Sequence, residues 1–129
     1  MQKPENRKLS LEKLENEVWP EPTYDTHLVK RCHSLRKVPL EKLNIEDLRV
    51  LVGQQIGLKF LVNIAIEKLT EDVLAEGDFY LGDLLNSVTG IDKKYWKENP
   101  EQRILLSAII KNNENKIANN SVLNIKDLL

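Results

Sequence analysis

Leu11, Leu14 and Val18 recur at helical spacing behind Ser10, so "LEKLENEV" predicts a short helix with Ser10 as its cap. Residues 1–8 before it are polar, contain Pro4 and predict a loose tail. Pro20 and Pro22 stop the helix, leaving "WPEPTYD" as an extended connector anchored by Trp19 and Tyr24. Asp25 or Thr26 caps the next helix, "HLVKRCHSLRK", whose apolar face is Leu28, Cys32 and Leu35 with Val29 beside them. Pro39 ends it, and "LEKLN" reads as a turn.

The clearest start follows. Asn44 and Asp47 have the spacing of a capping box, with Asp in place of the usual Glu or Gln, and Leu48, Leu51, Val52 and Ile56 continue the helical period. Gly57 breaks the chain, and Gln54 and Gln55 beside it carry amides that need partners at the junction. In "LKFLVNIAIEKL", Leu58, Leu61, Val62, Ala65 and Leu69 share one face, and Phe60, Ile64 and Ile66 widen it. A helix apolar almost all round is a buried one, so residues 58–70 are expected to be the central helix. "LGDLLNSV" predicts a short helix with Gly90 in a left-handed C-terminal position. "IDKKYWKEN" is a turn anchored by Tyr95 and Trp96. Asn99 and Pro100 then open a last helix that weakens in its Asn-rich second half, before "SVLNIKDLL" as a final turn or docked tail. No alternating strand stands out. The expected fold is all-α: a single domain over residues 9–129, a bundle of about five to seven helices, several of them short.

Composition narrows the function classes. The chain of 129 residues has a net charge of -1, which gives no overall reason to bind nucleic acid or membrane. The charge is unevenly spread: +2 over residues 1–39, -5 over 40–83 and +2 over 84–129. No apolar run reaches membrane-spanning length, and the charged N-terminus lacks the apolar core of a signal peptide. Cys32 is the only cysteine, so no intrachain disulfide can form. A cytoplasmic protein is expected.

Few residues are patterned for chemistry. His27, Cys32 and His33 do not share a helix face at metal-ligand spacing. Cys32 lies on an apolar stripe, where cysteine packs as a small hydrophobe rather than serving as a nucleophile. "GQQIG" lacks the Lys-Ser/Thr end of a phosphate loop. Lys30, Arg31, His33, Arg36 and Lys37 could meet phosphates, which keeps open a regulatory nucleic-acid-binding role through this basic face. An enzyme built on Cys32 or on paired carboxylates is a third reading. Neither a cofactor nor a small-molecule substrate is indicated.

The acidic stretch from Glu71 to Asp83 is the best binding candidate. Glu71, Asp72, Glu76, Asp78 and Asp83 occur with no Lys or Arg, and Phe79 and Tyr80 stand among them. Read as a calcium loop beginning at Asp72, it places Leu74 where a ligand is required and Asp83 where a Glu belongs. No apolar pocket is evident to raise one carboxyl for acid catalysis. Two readings remain: a connector pinned to the core by its aromatics, or a surface whose acids and aromatics meet a basic partner.

The succession of "WPEPTYD", "HSLRKVPL", "IEDLRVLVGQQIGL" and "EGDFYLGDLL" resembles the immunity proteins of contact-dependent growth inhibition systems, over roughly residues 10–98. The helix and tail from Asn99 lie outside the resemblance. It implies a non-catalytic cytoplasmic protein that binds the C-terminal toxin domain of a large surface filament protein, one to one, and so protects the producing cell. Many such toxins are nucleases, whose basic surfaces an acidic inhibitor would complement. The candidate toxin-binding residues are Glu71, Asp72, Glu76, Asp78, Phe79, Tyr80 and Asp83. The resemblance implies no cofactor, and no direct contact with nucleic acid or membrane.

Overall fold

The computed structural model describes residues 6–21 and 26–119. The expected anchor Tyr24, the alternative cap Asp25, most of the N-terminal tail and the terminal "SVLNIKDLL" lie outside them. Among the described residues there are eight α-helices and no strands, so the all-α class is as expected, with one helix more than the five to seven anticipated; five of the helices have seven or more residues.

Helix α1 is Leu11–Leu14, capped by the Ser10 hydroxyl, which accepts the Lys13 N–H. It is shorter than expected, because the chain turns at Asn16 with φ 52°. Val18, expected on the apolar stripe, is therefore left outside. Leu11 itself is fully buried. Helix α2, His27–Leu35, is capped by Thr26. It buries Cys32 and Leu35 but leaves Leu28 exposed, so its apolar face is narrower than the spacing implied. Leu40–Lys42 forms one 3₁₀ turn after Pro39.

Helix α3, Ile45–Gly53, starts with the reciprocal capping box: Asn44 Oδ1 accepts the Asp47 N–H, and Asp47 Oδ2 accepts the Asn44 N–H. Asp47 is long enough to close the box in place of Glu. The next helix, α4, is Leu58–Glu71 and buries Leu61, Val62, Ile64, Ala65, Ile66 and Leu69, as expected of the central helix. Between α3 and α4, Gln55 and Gly57 both have positive φ. The Gln55 amide oxygen accepts the Asp92 N–H, which supplies one of the partners the junction needs.

Helix α5, Asp83–Thr89, follows the acidic loop. The left-handed glycine is at its start, Gly82 with φ 86°; Gly90, expected to be left-handed, is right-handed with φ -81°. The segment read as a turn is helix α6, Lys93–Glu98, opened by Asp92. Helix α7, Pro100–Asn112, has Pro100 in its first turn, but Asn99 gives no side-chain cap; its amide donates to the Tyr95 carbonyl instead. The Asn-rich half breaks at Asn113 into helix α8, Glu114–Ala118.

Helix α3 packs on α5, and α4 packs on α3, α5 and α7. The core cluster draws Leu11, Cys32, Leu51, Leu61, Leu84 and Ile110 from six different helices. Tyr95 on α6 is half-buried and its hydroxyl meets Gln102 on α7, whose amide donates to Asn63 on α4. This line of polar side chains ties the C-terminal helices to the central one.

The α3–α4 junction is sterically closed. A Cβ on Gly57 would lie 2.7 Å from both methyl carbons of Leu11, and its φ of 65° disfavours any L side chain. Gly57→Ala is therefore expected to cost about 2 kcal/mol, read as a lower urea midpoint at unchanged m value. A midpoint equal to the wild type would show that the junction relaxes freely.

Candidate functional site

The acidic stretch is divided by the fold into an inward and an outward set. Asp83 is only 2% exposed. Its carboxylate accepts the backbone N–H groups of Gly77 at 2.6 Å, Phe79 at 3.1 Å and Tyr80 at 3.5 Å. Three donors from one short loop thus converge on one side chain at the start of α5. Glu71, Asp72, Glu76 and Asp78 remain exposed. Asp72 bends the chain away from α4 by accepting the Leu74 N–H at 3.0 Å.

The second anchor comes from α3. Glu46 is buried, and both of its oxygens are 2.6 Å from Arg49, one turn on. The Glu46 Oε1 atom also accepts the Asp78 N–H at 3.0 Å. Arg49 Nε lies 3.8 Å from Asp83 Oδ2, so one guanidinium faces two carboxylates. The hydrogen bonds from Arg49 hold Glu46 below its ordinary value of 4.5, against the upward push of burial; the Asp78 N–H and the charges of Arg49 and Arg31 add to the lowering. Arg49 is raised, first by its hydrogen bonds to Glu46. Gly77 completes the joint, since a Cβ there would overlap Glu46 Oε1 and lie 3.1 Å from Asp83 Oδ2. Glycine is required at this position for lack of space, not for its φ.

The aromatic pair separates as well. Phe79 is 68% exposed and lies with its ring over the Arg49 guanidinium, 4.4 Å from centroid to carbon. Tyr80 is half-buried, and its hydroxyl accepts the Asn86 amide at 2.7 Å. Of the sequence candidates, Asp83 is structural and Tyr80 is tied to α5. Glu76, Asp78 and Phe79 point to solvent from the loop, while Glu71 and Asp72 are exposed at the end of α4. Glu46 and Arg49 were missed by sequence reasoning. The spacing of three between opposite charges was visible, but it reads equally well as a solvated helix pair.

The rival basic face does not hold together. Arg31 pairs with Asp47 at 3.1 Å. Arg36 is 1% exposed, under the Trp19 ring at 4.2 Å, and its Nη2 donates to the Glu15 carboxylate at 2.6 Å and to the Glu17 carbonyl. Of its five basic residues only Lys30 and Lys37 are exposed, and His33 sits edge-on to Trp19. Cys32 is buried, which pushes its thiol up despite the nearby Arg31 charge, the reverse of an activated nucleophile. Among the described residues, no three His, Cys, Asp or Glu side chains gather as a metal site, and no helix is long and apolar enough to cross a membrane.

A family model for CDI immunity proteins matches residues 13–106. The chain belongs to that family. The match covers the acidic loop, both of its anchors and the chain through Leu106 in α7; it starts a little later than the resemblance over residues 10–98 and ends further on. No curated protein and no solved structure matches this immunity protein. Its family role is toxin-neutralising immunity.

The joint has a pH signature. Glu46 is lowered in the folded state, so its contribution is complete above about pH 4.5 and is lost as pH falls through the lower folded value. Glu46→Gln should cost about 2 kcal/mol at pH 7. The gap to wild type should narrow as the pH falls below about 4.5. Thermal unfolding of both proteins across that range checks it. A gap that stays constant with pH would show that the Glu46 charge contributes nothing.

Proposed function

We propose that this immunity protein binds the toxin domain encoded upstream of it, one to one in the cytoplasm, and blocks its action without catalysis. Family membership over residues 13–106 carries this reading. The outward acids Glu71, Asp72, Glu76 and Asp78 serve as steering charges toward a basic toxin surface, such as that of a nuclease. Their exposure supports that role, whereas the buried Asp83 serves the loop from within. Tyr80 supports the loop from behind, and Phe79 belongs to the contact face.

Mixing the purified protein with that toxin domain should abolish toxin activity at equal molar amounts. The absence of binding at micromolar concentration would contradict the proposal. Replacing Glu76 with Gln and Asp78 with Asn together should lower the association rate several-fold and flatten its salt dependence, with little change in dissociation. Stopped-flow mixing at several salt concentrations reads both. An unchanged rate and salt slope would remove these acids from the encounter surface.

A further inference from the structure

We infer that the loop from Asp72 to Gly82 is a preformed docking element whose affinity anchor is Phe79, fitted to a basic toxin surface with an apolar recess. This rests on the functional reading above and deepens it by separating the residue that holds the partner from those that attract it.

The first observation is the exposure of Phe79. An aromatic side chain 68% open to water offers a large area for burial, and Leu81 in the same loop is 53% exposed. The second is that Phe79 is positioned. Its N–H is held by Asp83, the preceding N–H by Glu46, and its ring rests on Arg49. A partner that covers it therefore has less loop to order on binding, and less of the contact energy is lost to entropy. Rigid aromatics of this kind dominate binding energies at interfaces. The third is charge. The stretch 71–83 contains no Lys or Arg, and the one cation beneath the ring, Arg49, already faces Glu46 and Asp83. The rim around Phe79 is thus acidic, and a second copy of the chain would bring like charges against it. A basic partner fits and self-association does not.

The other exposed apolar pair, Ile104 and Leu105 on α7, lies in a different part of the fold and supplies the control. In binding kinetics with the upstream-encoded toxin domain, Phe79→Ala should weaken affinity by about thirtyfold or more, mainly through faster dissociation, and keep the wild-type salt slope. Phe79→Leu, which retains apolar bulk, should lose less. Ile104→Asp should stay within about threefold of wild type. Circular dichroism melting verifies that each variant is folded, which the exposure of the replaced side chains favours. Binding by Phe79→Ala within about threefold of wild type would overturn the inference while leaving toxin neutralisation standing. A large loss with Ile104→Asp and none with Phe79→Ala would move the contact to α7. If the wild type itself fails to bind, the functional reading falls, and this inference with it.

Discussion

One guanidinium between two buried carboxylates determines what the acidic loop can be. Arg49 holds Glu46 through two hydrogen bonds and faces Asp83, and the two carboxylates use their remaining lone pairs on the loop's backbone N–H groups. Removing charges from water is costly unless each is paired and hydrogen-bonded, and here the loop's own amides provide that satisfaction. The dependence is mutual: the loop amides would otherwise lack partners, and the carboxylates would lack donors. Gly77 is the spatial condition for it, because any side chain there would enter the volume of the Glu46 carboxylate.

This joint converts a run of like charges into a sorted surface. Five acids in one short stretch would repel one another if all faced the same way. Burying Asp83 against Arg49 and the loop amides removes one from the surface, and Asp72 and the loop turn direct the others outward. It also supports Phe79 from below, so an aromatic that could have packed inward stands over a cation at the surface. The loop is pinned through Asp83 and Tyr80, and it leaves Glu76, Asp78 and Phe79 exposed. The core beneath it, built on α4 and closed at Gly57 against Leu11, gives the joint its fixed footing.

The parts of the fold that were legible in the sequence are those governed by near neighbours. The Asn44–Asp47 box, the break at Gly57 and the apolar surround of α4 each follow from residues within a turn or two of each other. The shortening of α1 and the right-handed Gly90 were not legible, because the turn at Asn16 and the geometry after α5 are set by packing between helices. The same distinction divides the candidate site. Asp78 and Asp83 are chemically alike, and the loop's own N–H groups together with the distant pair Glu46 and Arg49 set one outward and the other inward. The basic face of α2 is thinned for the same reason: Asp47 on α3 and Glu15 just past α1 pair with Arg31 and Arg36. Family resemblance carried the function further than any single motif could, since the chain has no catalytic pattern to read.

The central claim is that buried carboxylates hold the loop in one conformation before any partner arrives. Amide hydrogen exchange in the free protein at neutral pH measures this directly. The N–H groups of Gly77, Asp78 and Phe79 should exchange far more slowly than in an unstructured chain, despite the exposure of Asp78 and Phe79, and Asp83→Ala, which removes both acceptor oxygens, should release Gly77 and Phe79. Exchange at the unstructured rate in the wild-type protein would contradict the account.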